Sequence, residues 1–488
     1  MKNILLLCSM FYSLLAFSTE KSTSTPTPNL RFKDGRFKIA QLTDIHWRDN
    51  SSNVIKTKST ILSVLQIEKP DLLVLSGDII TGSPVDKGYE WLFEILKQVN
   101  IPYVLLMGNH DPEVMEKKEI FDRLAKEPLC IGHKGKENLS GFGNFILPIQ
   151  ASDGSDKIQA LLYCMDSGDY SPDKRKYGQY GWIEKDQVEW YRQESQKFTQ
   201  QNGGTPLPAL AFFHIPLPEY KNITTYFTTY GAYGEECCSP QINSGMFFAM
   251  TEMKDVMGVF VGHDHHNDFI GQECGIALAY GRVTGYDADS DLERGARIIE
   301  LQENQFSFTS WITTPKGSEY CYHYPEGIIS NTQSGSDYLP ALPFTPEKQG
   351  VQYSYYEGHF SYVTDLLVKG EKKQEGIMKN FDISDAPAKD HYAYMFKSYI
   401  YIDKKDVYTF ALSSDDGAIL YIDGELLINN DGSHSNQEKR QKIGLEKGFH
   451  EIQLFYFEDF GGENLLLEIA GSNQSLSPVT NEILFLPN

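Results

Sequence analysis

Met257-Gly-Val-Phe-Val261 runs directly into Gly262-His263-Asp264-His265, so a short apolar run meets a turn carrying two histidines two residues apart. An apolar run of this length ending at glycine reads as a buried strand, and two imidazoles at i and i+2 beside a glycine can aim at one place, as metal binding would use. The same grammar recurs four times upstream. Thr43-Asp44-Ile45-His46 follows Lys38–Leu42, Ser76-Gly77-Asp78 ends Leu72–Leu75, Gly108-Asn109-His110-Asp111 ends Tyr103–Met107, and His214 ends Leu210–Phe213. One such cluster alone is ordinary turn chemistry. Five strand ends carrying only Asp, Asn and His point to one crevice, because α/β sheets bind ligands beyond the carboxyl ends of their strands.

Working outward, helical patterns over Ser59–Glu68, Tyr89–Val99 and Glu184–Lys197 alternate with these runs and with Ala160–Tyr163. That alternation predicts α/β layering over residues 32–315. Residues 316–349 lose periodicity and collect Gly, Ser and Pro, as an interdomain linker would. From 350 to 475 the texture is all-β: Tyr399–Asp403, Val407–Ser413, Ala418–Ile422, Glu451–Phe457 and Leu465–Ile469, with turns at Asp423-Gly424 and Asp431-Gly432. A separate β-sandwich is expected there, with 476–488 as a C-terminal tail.

Residues 1–18 read as a secretory signal, with Lys2, an apolar run from Ile4 to Phe17 and Ala16-Phe17-Ser18 as a small-x-small cleavage site. Residues 19–31 read as a flexible tether. The expected mature chain has no transmembrane segment and is exported to a periplasm, a cell surface or the medium. Six cysteines remain after the signal: Cys130, Cys164, Cys237, Cys238, Cys274 and Cys321. Disulfides are permitted in such a compartment, and one of Cys237 and Cys238 is expected to reach Cys274 or Cys321. The 488 residues carry a net charge of −22, which excludes a nucleic-acid surface or broad attraction to anionic membranes. An anionic substrate must be attracted locally, and metal ions are the direct means.

The set DxH, GD, GNHD, H and GHxH resembles the calcineurin-like metallophosphoesterase superfamily over residues 32 to about 312. Tyr163-Cys-Met-Asp166-Ser-Gly168, Gly181-Trp182-Ile-Glu-Lys-Asp-Gln187, Glu235-Glu-Cys-Cys-Ser-Pro240 and Tyr280-Gly-Arg282-Val-Thr-Gly285 resemble the loops of its purple acid phosphatase-related branch. The resemblance implies a layered β-sheet sandwich flanked by helices and a dinuclear centre. Asp44, His46 and His265 would hold one ion, Asn109, His214 and His263 the other, and Asp78 would bridge them. Mn, Fe, Zn and Co all suit mixed imidazole and oxygen donors. A hydroxide between the ions would attack phosphorus, and His110 would protonate the leaving oxygen as general acid. Asp111 would orient His110 or cap the next segment. Arg282 is a candidate contact for substrate phosphate. Thr81 stands where purple acid phosphatases place a phenolate ligand to ferric iron, so the resemblance stops short of a purple centre. The implied activity is phosphomonoester hydrolysis, with phosphodiester or nucleotide hydrolysis as the alternative on the same centre.

Residues 350 to about 471, with Tyr408-Thr-Phe-Ala-Leu-Ser-Ser-Asp415-Asp416-Gly417 and Asn429-Asn-Asp431-Gly432, resemble the protective-antigen-type β-sandwich of bacterial toxins, glycosidases and yeast flocculins. That resemblance implies a spacer or a glycan-binding module, with Asp415, Asp416 and Asp431 as candidate calcium ligands. A glycan-binding surface protein with a non-catalytic α/β domain is the reading from another class.

Overall fold

The computed structural model describes residues 29–227, 229–330, 338–343, 346, 348–472 and 474–486. The expected signal and most of the expected tether lie outside the described residues. No helix among the described residues is long and apolar enough to cross a membrane.

Strands β1 (Arg36–Leu42), β2 (Leu72–Ser76) and β3 (Tyr103–Leu106) lie side by side and parallel. Helices at Asn53–Glu68 and Val85–Val99 make the crossovers that parallel pairing requires. Every residue of β2 is buried, the pattern of a strand covered on both faces. The next seven strands build a second sheet: β4 (Phe145–Gln150), β5 (Ile158–Cys164), β6 (Ala209–Phe212), β7 (Thr229–Tyr230), β8 (Val256–Val261), β9 (Ile270–Glu273) and β10 (Ile276–Tyr280), in the order β4-β5-β6-β8-β10-β9-β7. The chain then returns to the first sheet through β11 (Ala296–Gln302), β12 (Phe308–Thr314), β13 (Gly317–Tyr324) and β14 (Ile328–Ser330), giving β14-β13-β12-β11-β1-β2-β3.

Three cores fix the layering. Phe37, Ile39, Val74 and Leu106 of the first sheet meet Leu162, Phe212 and Phe260 of the second in a core between the sheets. Ile61, Leu92 and Trp311 pack in the core beneath the first pair of helices, and Val188, Tyr191 and Met250 in the core beneath helices Lys185–Gln201 and Met246–Met253. The arrangement is helix, sheet, sheet, helix, as expected.

The second body is all-β. It comprises β15 (Val351–Glu357), β16 (Glu371–Met378), β17 (Tyr392–Ile402), β18 (Asp406–Asp415), β19 (Ala418–Ile422), β20 (Glu425–Asn430), β21 (Gln437–Leu445), β22 (Gly448–Glu458), β23 (Asn464–Ala470), β24 (Ser477–Pro478) and β25 (Leu484–Phe485). One sheet runs β16-β15-β17-β22-β19-β20 with β25 against β17, and the other β21-β18-β23-β24. Phe396, Phe410, Leu454 and Leu467 fill the space between them.

Three expectations need correction. The linker expected from 316 is sheet until Ser330, because Gly317–Tyr324 folds back on β12 as a hairpin and buries Cys321 and Tyr322. The expected tail supplies β24 and β25, and Leu484 is fully buried in the sandwich core. The expected disulfide is not formed. Cys237 and Cys238 are thiols whose Sγ atoms face the carbonyls of Tyr220 and Glu236, while Cys274 is an exposed thiol at the β9–β10 turn. Cys321 lies in the helix-side core of the other sheet.

Candidate metal centre

The five sequence clusters converge, and they come from both sheets. Asp44 and His46 follow β1, Asp78 follows β2, and Asn109 and His110 follow β3; His214 follows β6, and His263 and His265 follow β8. The loops are tied by backbone hydrogen bonds: Asp44 N–H donates to Gly77 O (3.1 Å), His46 N–H to Asp78 O (2.9 Å) and Gly262 N–H to His214 O (3.0 Å). Asp44, His46, Asp78 and His263 take left-handed backbone, with φ of 52°, 49°, 53° and 84°. This conformation costs a residue bearing a Cβ roughly 1–2 kcal/mol and persists where the surroundings over-determine it. Glycine is needed for the close approach. A Cβ on Gly108 would stand 2.2 Å from Asp78 Oδ1, and one on Gly262 would stand 2.0 Å from Thr43 Oγ1.

The donor atoms form two adjoining groups, Asp44 with His46 and His265, and Asp78 with His214 and His263, each within 4.8 Å. His46 Nε2 is 3.9 Å from Asp44 Oδ1 and 3.6 Å from Asp78 Oδ2, so Asp78 faces both groups; His214 Nε2 is 3.1 Å from the same oxygen. The tautomers follow from the outer contacts. His214 Nδ1 donates to Ser76 O (2.8 Å) and His265 Nδ1 to Asp289 O (3.2 Å), which turns each Nε2 inward as a lone-pair donor. Asn109 spends its amide nitrogen on Tyr170 Oη (3.3 Å) and keeps Oδ1 for the centre.

His46 Nε2, Asn109 Oδ1 and His263 Nε2 are buried without a hydrogen-bond partner among the described residues, and beside them His214 Nε2 and Asp78 Oδ2 face each other at 3.1 Å. The three unpaired atoms would each cost about 1–3 kcal/mol if they stayed unmatched, and divalent transition ions match the whole set. Burial opposes ionisation of Asp44, yet His265 and His214 outweigh it and hold the carboxyl down at about 2. Asp78 is held well below the carboxylate range against the same burial, by His214 and His46. Burial pushes His46 down to about 4 and His263 to about 3. At neutral pH the cluster therefore offers ionised carboxylates and neutral imidazoles, the state in which these groups ligate. His214 and His265 are the exceptions: burial works against the charge of both, but Asp78 lifts His214 to about 10 and Asp44 raises His265, so an ion bound there would displace their protons.

His110 is the more exposed imidazole at the rim, its ring 5.4 Å from that of His46. Its Nδ1 stands 3.1 Å from Glu113 Oε2, while Glu113 Oε1 accepts from Tyr170 Oη at 2.9 Å. Tyr170 stacks on Tyr180, whose ring meets that of His263 edge-on at 4.4 Å. Asp111 does not orient His110. Its carboxylate accepts the backbone N–H of Asp78 (2.8 Å), Ile79 (2.9 Å) and Gly108 (2.8 Å), clamping the β2 loop to the β3 loop.

The Arabidopsis thaliana protein named Probable inactive purple acid phosphatase 29 is 32% identical over 341 residues, 63% of this chain and 87% of that protein. A calcineurin-like phosphoesterase model matches residues 37–267. The chain belongs to the calcineurin-like phosphoesterase family. The chain is also 32% identical to Probable inactive purple acid phosphatase 14 of the same plant, over 58% of this chain and 79% of that one. It is 31% identical to Phosphatase DCR2 of Saccharomyces cerevisiae, over 57% of this chain and 54% of that one. A PA14 domain model matches residues 347–481, in agreement with the all-β second body.

Two expected site residues are placed elsewhere in this chain. Arg282 is 3% exposed, and its guanidinium is spent on Asp268 Oδ2 (2.6 Å), Glu319 Oε2 (3.0 Å) and the Glu293 carbonyl (2.8 Å); it braces the sheet and does not reach for phosphate. Asp431 accepts from Val363 N and Gly432 N, whereas the residue that joins Asp415 and Asp416 is Glu458. Sequence reading missed Glu113, Tyr170, Tyr180 and Glu458. Glu113 had a signal, since Pro112 opens the short helix Asp111–Val114 and places a residue three positions after His110 beside it.

Proposed function

We propose that this chain is an exported phosphohydrolase with a dinuclear metal centre that acts on phosphomonoesters. The observation that carries the reading is the convergence of buried, unpartnered donor atoms from loops of both sheets. Asp44, His46 and His265 would hold one ion, Asn109, His214 and His263 the other, and Asp78 would be shared. Two divalent ions, when bound there, supply charge for the phosphoryl oxygens and acidify water for attack on phosphorus. His110 hands a proton to the leaving oxygen from Nε2, because Nδ1 is engaged by Glu113. Tyr170 and Tyr180 wall one side of the centre and fix Asn109 and His263. Export is supported by the leader-like residues 1–18, and phosphatase activity by the name of the yeast relative, Phosphatase DCR2. The plant relatives are named inactive, yet this chain keeps the full expected donor set.

For the second body we propose calcium-assisted glycan binding at Asp415, Asp416 and Glu458, which lie within 4.8 Å of one another. Glu458 is fully buried, with Oε1 unpartnered among the described residues. Asp416 also shapes the loops, accepting from His434 N and Asp459 N.

Full chain reconstituted with Mn, Fe, Zn or Co is expected to hold at least two equivalents and to cleave p-nitrophenyl phosphate faster than bis-p-nitrophenyl phosphate. Asp78→Ala is expected to lose metal from the centre and at least ~10³-fold in kcat/KM. Full activity in Asp78→Ala, or fewer than two equivalents in the wild type, removes the dinuclear reading. The opposite ester preference assigns a phosphodiesterase. The same preparation, screened on glycans with calcium or chelator, tests the second body; binding unchanged by chelation excludes calcium.

A further inference from the structure

We propose that His359, His391 and Asp459 form a separate transition-metal site at one end of the PA14 sandwich, independent of the phosphoesterase centre. The three residues are distant in sequence, and the sheet brings them together. His359 lies two residues beyond β15, His391 immediately precedes β17, and Asp459 immediately follows β22. Those strands are neighbours in the order β15-β17-β22. Tyr392 pairs with Glu357 on one side and Glu458 on the other, and Gly358 N–H donates to His391 O at 2.9 Å. Register alone therefore puts the donors at adjoining ladder ends.

The spacing suits one ion. Asp459 Oδ1 is 3.4 Å from His391 Nδ1 and 4.0 Å from His359 Nδ1, and the two imidazole centroids are 3.9 Å apart. Donors bound to a tetrahedral ion at 2.0–2.1 Å stand roughly 3.3 Å from each other. The longer distance belongs to His359, whose side chain is 80% exposed and can close by rotation. His391 is held in place: its backbone is left-handed at φ 62°, and its Nδ1 is buried without a hydrogen-bond partner among the described residues. Asp459 is fixed by its N–H on Asp416 Oδ2 at 2.9 Å. The left-handed backbone and the unmatched nitrogen both cost stability, and a cation shared with Asp459 offsets them.

Two imidazoles and one carboxylate select zinc, copper(II) or nickel(II) rather than calcium, which takes oxygen ligands. The site therefore differs in chemistry from the Asp415, Asp416 and Glu458 group beside it. A bound ion would clasp the ends of three adjacent strands.

The test is zinc stoichiometry by equilibrium dialysis on the full chain, with cobalt(II) visible absorption as a second readout. His359→Ala and His391→Asn are each expected to bind one equivalent fewer than wild type at saturation, with unchanged hydrolysis of p-nitrophenyl phosphate; Asn tolerates the left-handed backbone. Zinc is also expected to raise the sandwich melting temperature in wild type and not in His359→Ala. Equal stoichiometry in wild type and His359→Ala overturns the proposal. A loss confined to His391→Asn also overturns it, because His359 is too exposed for its removal to disturb the fold.

Discussion

Glu113 sets what His110 can do. Its carboxylate engages Nδ1 and is itself engaged by Tyr170, so the imidazole presents Nε2 outward at the rim. Glu113→Gln is expected to lower kcat about 3–10-fold with little change in KM, and His110→Gln about 10²-fold or more. The double variant is expected to lose no more than His110→Gln alone, since Glu113 acts through that ring; additive losses would show an independent role. The residues of the candidate centre were legible in sequence because each follows a strand whose apolar run marks its end. Arg282 misled for a physical reason. A guanidinium in a Gly-rich loop looks available for phosphate, and only the fold reveals Asp268 and Glu319 around it.

Among elements, parallel strands and their crossover helices were legible, since fully buried apolar runs and amphipathic helices differ in period. Short edge strands were not. Residues 317–330 and 477–485 carry polar and turn-forming residues that resemble a linker and a tail, and they become strands only because β12, β23 and β17 offer unpaired edges. The sandwich also holds a pH-sensitive link that no periodicity could show. His450, fully buried, has Nδ1 2.6 Å from Asp423 Oδ2 and Nε2 2.9 Å from Glu446 O. Both nitrogens donate only in the protonated ring. Burial disfavours that charge, but Asp423 outweighs it and raises the pKa above 6.5. A raised value in the folded state gives stability that is complete below the unfolded pKa and disappears as pH climbs through the folded one. The sandwich melting temperature is therefore expected to fall as pH rises past about 6.5, and His450→Gln to flatten that slope. An unchanged slope in the variant would refute the assignment.

At the scale of the whole molecule, the two bodies have cores that share no residue. All five tryptophans, the last at Trp311, belong to the first body. Calorimetry is expected to resolve two transitions, and tryptophan fluorescence only one of them. Asp78→Ala should lower the transition seen by fluorescence and leave the other in place; a single merged transition would contradict two independent cores. The net charge of −22 is shared, with about −12 on residues 316–488, so much of the repulsion toward a phosphate ester sits on a body that need not meet it. The division of donors between two sheets also has a consequence for biosynthesis. β1 leads into the first candidate ligands but completes its pairing only with β11, some 260 residues later, and His263 and His265 are made when more than half the chain already exists. Capture of the proposed ions would thus be a late event in the life of each molecule, and the metals present wherever the finished chain folds would decide which ions it takes up.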